Sequence, residues 1–277
     1  MLQLSKTEPL VSIIVPTRNS ERTITECLRS IEKQTYNNVE VILVDNFSCD
    51  NTVQIAKRFG VKVFFKGPER SAQINFGATK ARGKYVYRVD SDFVLQSNVV
   101  REAVDACENH GFDAIAVHNT SDPKVSFWAQ VRKLERDCYR NDELNVAARF
   151  WRKEVFDEFG GLDETMIAAE DYDLQNRLVK TGFKIGRINA EEVHIGEPTA
   201  LAEVVRKHYY YGKNILCFIK KDPVRAPRQI SPVRPAFIRN WRSFLKDPTL
   251  TVGFMLYQTV RYSAAVLGFF SSLAESQ

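Results

Sequence analysis

At 277 residues the chain is long enough for one large domain or two small ones, and for a sizeable core. Its 44% apolar and 26% charged residues match ordinary globular proteins, which excludes disorder, a collagen-like repeat and a disulfide mini-scaffold. The net charge of +5 is uneven: Glu203 to Asp247 holds eleven Lys/Arg against three acids, leaving a mildly acidic body ahead of a basic rear section.

In chain order, Met1 to Leu10 has no apolar core of signal-peptide length, so the protein is expected to start and stay on the cytosolic side. Val11 to Pro16 is a β-branched run ended by proline and reads as a buried strand. Asn19 or Ser20 then caps a helix to about Glu32, with Ile24, Cys27, Leu28 and Ile31 on one face. Strands are expected at Val39–Val44, Val61–Phe65, Tyr85–Val89 and Ala114–Val117. Helices are expected from Asp50 or Asn51 to Phe59, over Ser71–Ala81 and over Asn98–Asn109. This alternation predicts an α/β fold with a mostly parallel sheet covered on both faces. Ligands of such sheets sit outside the C-terminal strand ends, so chemistry is sought there.

Beyond residue 118 the pattern loosens. Lys124 to Arg140, Glu170 to Thr181 and Leu201 to Lys220 read as helices, and Phe159-Gly-Gly-Leu162 reads as a turn. Asp222 to Pro235 carries four prolines and no apolar pattern, which reads as a basic linker. Ala236 to Leu245 is helical, and an apolar tail runs from Val252 to Leu273. The five cysteines form no Cys-x-x-Cys pair, so neither a zinc cage nor a disulfide framework reads out, and a reducing compartment fits.

Three acidic groups fall where strands end or a helix opens. Asp45 follows Val41–Val44, Asp90-Ser91-Asp92 follows Tyr85–Val89, and Glu170-Asp171 opens a helix. Asp90 and Asp92, two apart on extended backbone, point to one side and repel unless a cation lies between them. Hard divalent ions such as Mg²⁺ or Mn²⁺ suit such oxygen ligands and bridge to phosphates. The plain structural alternative is a turn in which Asp caps a backbone amide. Asp171 has the makings of a general base, although acids in a first turn also simply favour the helix dipole. No Gly-x-Gly-x-x-Gly follows the first strand, and P-loop, hydrolase-elbow and His-Glu-x-x-His patterns are absent.

Five ordered segments resemble family 2 glycosyltransferases of the GT-A fold: Ser12-Ile-Ile-Val-Pro-Thr-Arg-Asn19, Val44-Asp-Asn-Phe-Ser-Cys-Asp-Asn-Thr52, Arg70-Ser-Ala-Gln-Ile-Asn-Phe-Gly-Ala78, Asp90-Ser-Asp92, and Phe159-Gly-Gly-Leu-Asp-Glu164 with Glu170-Asp-Tyr-Asp-Leu174. The resemblance spans about residues 10 to 200. It implies a catalytic domain over 1–200, with a nucleotide-sugar-binding half (10–118) and an acceptor-side half (119–200). It further implies a UDP- or GDP-sugar donor, an inverting transfer and a divalent metal cofactor. By position, Pro16, Thr17, Arg18, Asn19, Asp45, Arg70, Asn75, Asp90 and Ser91 would bind the donor, Asp45 accepting from the base N–H. Asp92 and His194 would hold the metal, Asp171 would be the base and Glu170 its neighbour. Ile74 stands where family members often carry Arg, which makes Arg70 the replacement cation.

The basic, aromatic stretch from Arg206 to Lys246 fits either docking on anionic lipid or an ordinary solvated helix, and the nucleic-acid reading is set aside. The tail approaches spanning length, but Arg261 at its centre would cost about 2.5–3.5 kcal/mol in a bilayer. The expectation for 236–277 is therefore a membrane-interface or partner-binding segment, with burial in the domain as the alternative. A peripheral enzyme on the cytosolic membrane face, acting on a glycan or polyprenyl-linked acceptor, fits both halves. Two other classes stay open: a sugar nucleotidyltransferase, which would need a Gly-rich triphosphate loop that Thr17–Glu21 lacks, and a silent scaffold that kept the fold.

Overall fold

The computed structural model describes residues 8–275. Most of the N-terminal segment read for a leader therefore lies outside the described residues. The expected alternation is present: β1 (Val11–Thr17), α1 (Ile24–Glu32), β2 (Val39–Asp45), α2 (Thr52–Arg58), β3 (Lys62–Phe65), α3 (Arg70–Lys80) and β4 (Tyr85–Arg88). There follow β5 (Phe93–Leu95), α4 (Val99–His110), β6 (Ala114–Ala116), β7 (Asn119–Ser121) and α5 (Phe127–Asp137). The second half of this region continues with β8 (Phe150–Arg152), α6 (Lys153–Glu158), α7 (Glu170–Lys180), β9 (Ile185–Arg187) and β10 (Glu192–His194). Five helices close the chain: α8 (Leu201–Lys221), α9 (Ala226–Gln229), α10 (Pro235–Arg239), α11 (Trp241–Leu245) and α12 (Pro248–Glu275).

The main sheet has the order β3-β2-β1-β4-β8-β6-β9, parallel except for β8, and a small second sheet runs β5-β10-β7. Both faces of β1 are buried, which is why its sequence is an unbroken apolar run rather than an alternation. Val11, Ile13 and Val15 pack with Cys27, Leu28 and Val100 of α1 and α4. Ile14 faces the other way, onto Ile74 of α3 and Leu174 of α7. β8 escaped the sequence reading because three residues carry no periodicity; only its place between β4 and β6 makes it a strand.

Two expectations, the cap of α1 and the linker, need correcting. Neither Asn19 nor Ser20 caps α1 with its side chain; the helix starts at Ile24, and Asn19 Oδ1 accepts from Cys49 N at 2.9 Å instead. Residues 222–235 are not a free linker: α9 packs on α7, with Ala226 buried and Gln229 hydrogen-bonded to Asn176. The apolar tail is one 28-residue helix lying along α8. A side chain on Gly212 would overlap Ala265 O, and one on Gly268 would overlap Tyr209 O, so the two backbones touch through these glycines. Arg261 is buried in an ion pair with Glu135 of α5, 3.0 Å apart. No helix among the described residues is long and apolar enough to cross a membrane.

Candidate active site

A cleft of about 580 Å³ opens at the C-terminal ends of β1 and β4. It is lined by the β1 turn (Pro16, Thr17, Arg18, Asn19), by Arg70 of α3, and by Asp90, Ser91 and Asp92 after β4. His194, at the end of β10, closes it from the second sheet. Gln73 holds the floor together, donating to Thr17 O at 2.9 Å and Val44 O at 2.6 Å. The three non-glycine residues with positive φ among the described residues, Asn19, Phe47 and Ala169, sit in the β1 turn, the β2 turn and just before Glu170. Such strain clusters at functional sites.

Asp92 and His194 meet in the cleft, Nε2 lying 3.0 Å from Oδ2. Burial raises the Asp92 pKa, but the imidazole more than offsets this and leaves it below the usual value. His194 Nδ1 lies 2.7 Å from Glu197 Oε1, an arrangement that turns Nε2 toward Asp92. Asp92 remains about a third exposed, and Gly196 packs so closely beside it that a Cβ would come within 2.6 Å of Oδ2. One carboxylate and one imidazole fit a divalent ion such as Mn²⁺ or Mg²⁺ that takes its other ligands from phosphate and water. Among the described residues no group of three or more His, Cys, Asp or Glu is gathered to hold a metal. Asp92 and His194 are thus two candidate ligands and not a closed cage.

Behind the cleft, three arginines organise the acids. Arg88, 1% exposed, grips Asp90 with two 2.9 Å hydrogen bonds and reaches Glu170 at 3.4 Å and Asp171 at 3.5 Å. Arg70 donates to Glu170 at 3.1 and 2.5 Å and approaches Asp90 at 3.6 Å. Arg149 bridges Asp90 and the buried Glu192. Burial alone would raise the Asp90 pKa; Arg88, Arg70 and Arg149 hold it well below the usual carboxylate range. Arg88 thus links the acid facing the cleft to the pair that opens α7.

The family profile described as "Glycosyl transferase family 2" matches residues 12–161, more than half of the chain. The chain belongs to that family. It is 34% identical to glycosyltransferase GlyG of Streptococcus pneumoniae over 114 residues, 38% of each chain. Over 230 residues it is 24% identical to glycosyltransferase AglE of Haloferax volcanii, covering 76% of this chain and 74% of that one. It is 33% identical to the poly(ribitol-phosphate) β-N-acetylglucosaminyltransferase TarS of Staphylococcus aureus over 117 residues, 38% of this chain and 20% of TarS. The chain thus spans well under two thirds of the length of GlyG and TarS. In structure it resembles the Pyrobaculum calidifontis mannosyltransferase PcManGT, solved with GDP-Man and Mn²⁺: TM-score 0.67 at 16% identity, covering 98% of this chain and 89% of that one. That likeness confirms the GT-A-type sheet.

Not every residue assigned by family position lines the cleft. Asp45 is fully buried, its carboxylate taken up by Thr17 Oγ1 at 2.8 Å, Ser48 Oγ at 2.6 Å and Ser48 N at 2.7 Å. These bonds shape the β2 turn and leave Oδ2 with a single protein donor, Ser48 N. Asn75 points away, toward the glycine turn, where it bonds Leu162 N at 2.9 Å, Leu162 O at 2.8 Å and Glu164 at 3.0 Å. Ile74 is core, so Arg70 is the α3 cation at the cleft. Asp171 lies outside the cleft, in a polar chamber of about 240 Å³ that shares Arg136 and Arg149 with it. Arg88, Arg149 and Glu197 were missed in the sequence. Glu197 had one signal, its spacing of three from His194; the arginines had none, since only the fold places them among the acids.

Proposed function

We propose that this chain transfers a sugar from a nucleoside-diphosphate sugar to an acceptor hydroxyl, with inversion at the anomeric carbon. The Asp92–His194 pair facing the cleft beside the Arg70–Glu170 contact carries this reading. Pro16 to Asn19, Asp90 and Ser91 form the walls for the nucleoside, and Arg70 offers positive charge to the diphosphate. Asp92 and His194 would hold Mn²⁺ or Mg²⁺, which when bound neutralises charge developing on the leaving diphosphate. Asp171 accepts the proton as the acceptor oxygen bonds to the anomeric carbon from the opposite face. The bond to the diphosphate breaks, and its electron pair leaves with the nucleotide. Glu170 does not react; bonded to Arg70 and near Arg88, it fixes the start of α7 and hence the place of Asp171.

The rear section favours work at a membrane surface on the cytosolic side. Among the described residues, fifteen of the nineteen exposed large hydrophobic side chains lie beyond residue 200, eight of them inside the basic stretch Glu203–Asp247 and the rest on α12 after it. Apolar and basic groups side by side suit an anionic lipid surface, and a lipid-borne or surface-glycan acceptor would be met there.

The test is a thermal-shift panel of UDP, GDP, dTDP and their sugars, with and without Mn²⁺, followed by transfer assays with the donor that binds. A metal-dependent rise in Tm for one nucleotide is expected, because a ligand bound only by the folded chain stabilises it. No shift with any of them would sink the reading.

A further inference from the structure

Three cavities stand in a row, and only the first belongs to the donor. The polar chamber behind it is walled by Arg132, Arg136, Arg149, Arg234 and Arg261 against two acids, Glu135 and Asp171. Beyond lies a third cavity of about 620 Å³ between α7, α8, α9 and α12, which shares Asp171, Tyr172, Arg234 and Arg261 with the polar chamber. Its remaining wall is mostly apolar, built from Ile215, Pro227, Ile230, Ala265, Val266 and Phe269. Val266 is half exposed, and Leu267 and Phe270 beside it are more so, so the apolar cavity continues onto the bare outer face of α12.

We propose that this pair of chambers is the acceptor site, and that the acceptor is a lipid: its hydrocarbon chain fills the apolar cavity and its phosphate-bearing head lies among the arginines, the attacking hydroxyl toward Asp171. The inference rests on the transfer reading above and assigns to it a substrate class and a place. Charge decides the head. Arg132 and Arg261 pair with Glu135, Arg136 pairs with Glu197, and Arg149 pairs with Asp90 and Glu192. Arg234 has no carboxylate within ion-pair distance among the described residues. Its Nε donates to Ser231 O at 3.1 Å, and its guanidinium lies 5.1 Å from the Tyr139 ring centroid. It is the cation left for an anionic ligand. The wall decides the tail, because apart from His208, Tyr211, Gln229, Ser231 and Tyr262 it offers a glycan no side-chain partners beyond the shared residues, and hydroxyls set against Ile215, Ile230 and Phe269 would go unbonded.

The probes are straight-chain alkyl phosphates, kept below their micelle concentrations and titrated into the full chain by calorimetry. Affinity should rise about fourfold per methylene from hexyl to decyl phosphate. Inorganic phosphate should bind far more weakly than decyl phosphate. Ile230→Trp, which fills the cavity, should abolish the chain-length dependence. Arg234→Gln should weaken decyl phosphate at least about tenfold while leaving decanol unchanged. A flat chain-length series in the wild-type chain overturns the apolar half whether or not the variants fold. Equal loss of decanol and decyl phosphate in Arg234→Gln overturns the anion half. The nucleotide thermal shift is read in the same samples. Nucleotide binding without alkyl phosphate binding rejects this acceptor assignment alone, whereas loss of the nucleotide shift in the wild-type chain rejects the transfer reading beneath it.

Discussion

The N-terminal half and the rear helices differ in what they leave at their surfaces. Around β1, β2 and β4 the interior is apolar, and the charges gather at strand ends, where a ligand can use them. Around α5, α8 and α12 the Arg261–Glu135 ion pair is buried beside a small apolar cluster of Val131, Val204 and Tyr257, while Met255, Leu256, Leu267 and Phe270 of α12 face out. A helix that hides its arginine and shows its leucines is not arranged for water alone. On the proposed reading the first half takes a polar ligand and the second an apolar one.

Asp171→Asn tests the chemical end of that contrast. Transfer should slow by about 10²–10⁴-fold while the nucleotide-induced rise in Tm stays, since Asp171 lies outside the donor cleft. Full activity in this variant would remove Asp171 from the reaction.

Glu135→Leu tests the buried charge of the rear half. It strands Arg261 and leaves Arg132 only Glu197, 3.8 Å away, and breaking such a pair costs about 3–5 kcal/mol. Adding Arg261→Leu should restore a good part of that stability in urea unfolding, because the second charge no longer lacks a partner. A double variant as unstable as the single one would mean that the pair does not bridge α5 and α12.

Gly212→Ala probes the α8–α12 contact, where a methyl group meets the Ala265 carbonyl. A loss of about 1–3 kcal/mol is expected from the forced separation, with alkyl phosphate binding weakened more than nucleotide binding. Equal effects on both would erase the division between the halves.

The smallest effect concerns pH. Burial pushes His208 of α8 from its ordinary 6.5 to about 3, against the hydrogen bond to Val204 O and with help from Arg261, Lys207 and Arg132. The folded chain then binds a proton less readily than the unfolded one. Stability is complete above about pH 6.5 and falls as the pH drops toward 3. Melting curves between pH 7 and 5 should show this slope, and His208→Gln should flatten it; an unchanged slope would assign the titration elsewhere.

Much of this was legible before any coordinates. Buried parallel strands leave continuous β-branched runs, and helices packed on them leave a 3.6-residue stripe, so β1 to β4 and their helices declare themselves locally. Asp90, Asp92 and Glu170 are legible because they sit at punctuation points of that pattern, whereas Arg70 is legible only through the family resemblance. Asp45 and Asn75 were legible as positions, not as contacts: Thr17, Ser48 and the glycine turn claim their hydrogen bonds. The order of these elements and the family of the chain are therefore properties of the sequence alone. Arg88 between Asp90 and Asp171, β8 between β4 and β6, and Arg261 on Glu135 are properties of the tertiary structure. Each joins residues far apart along the chain, where the energy of a contact depends on burial and direction that no local pattern encodes.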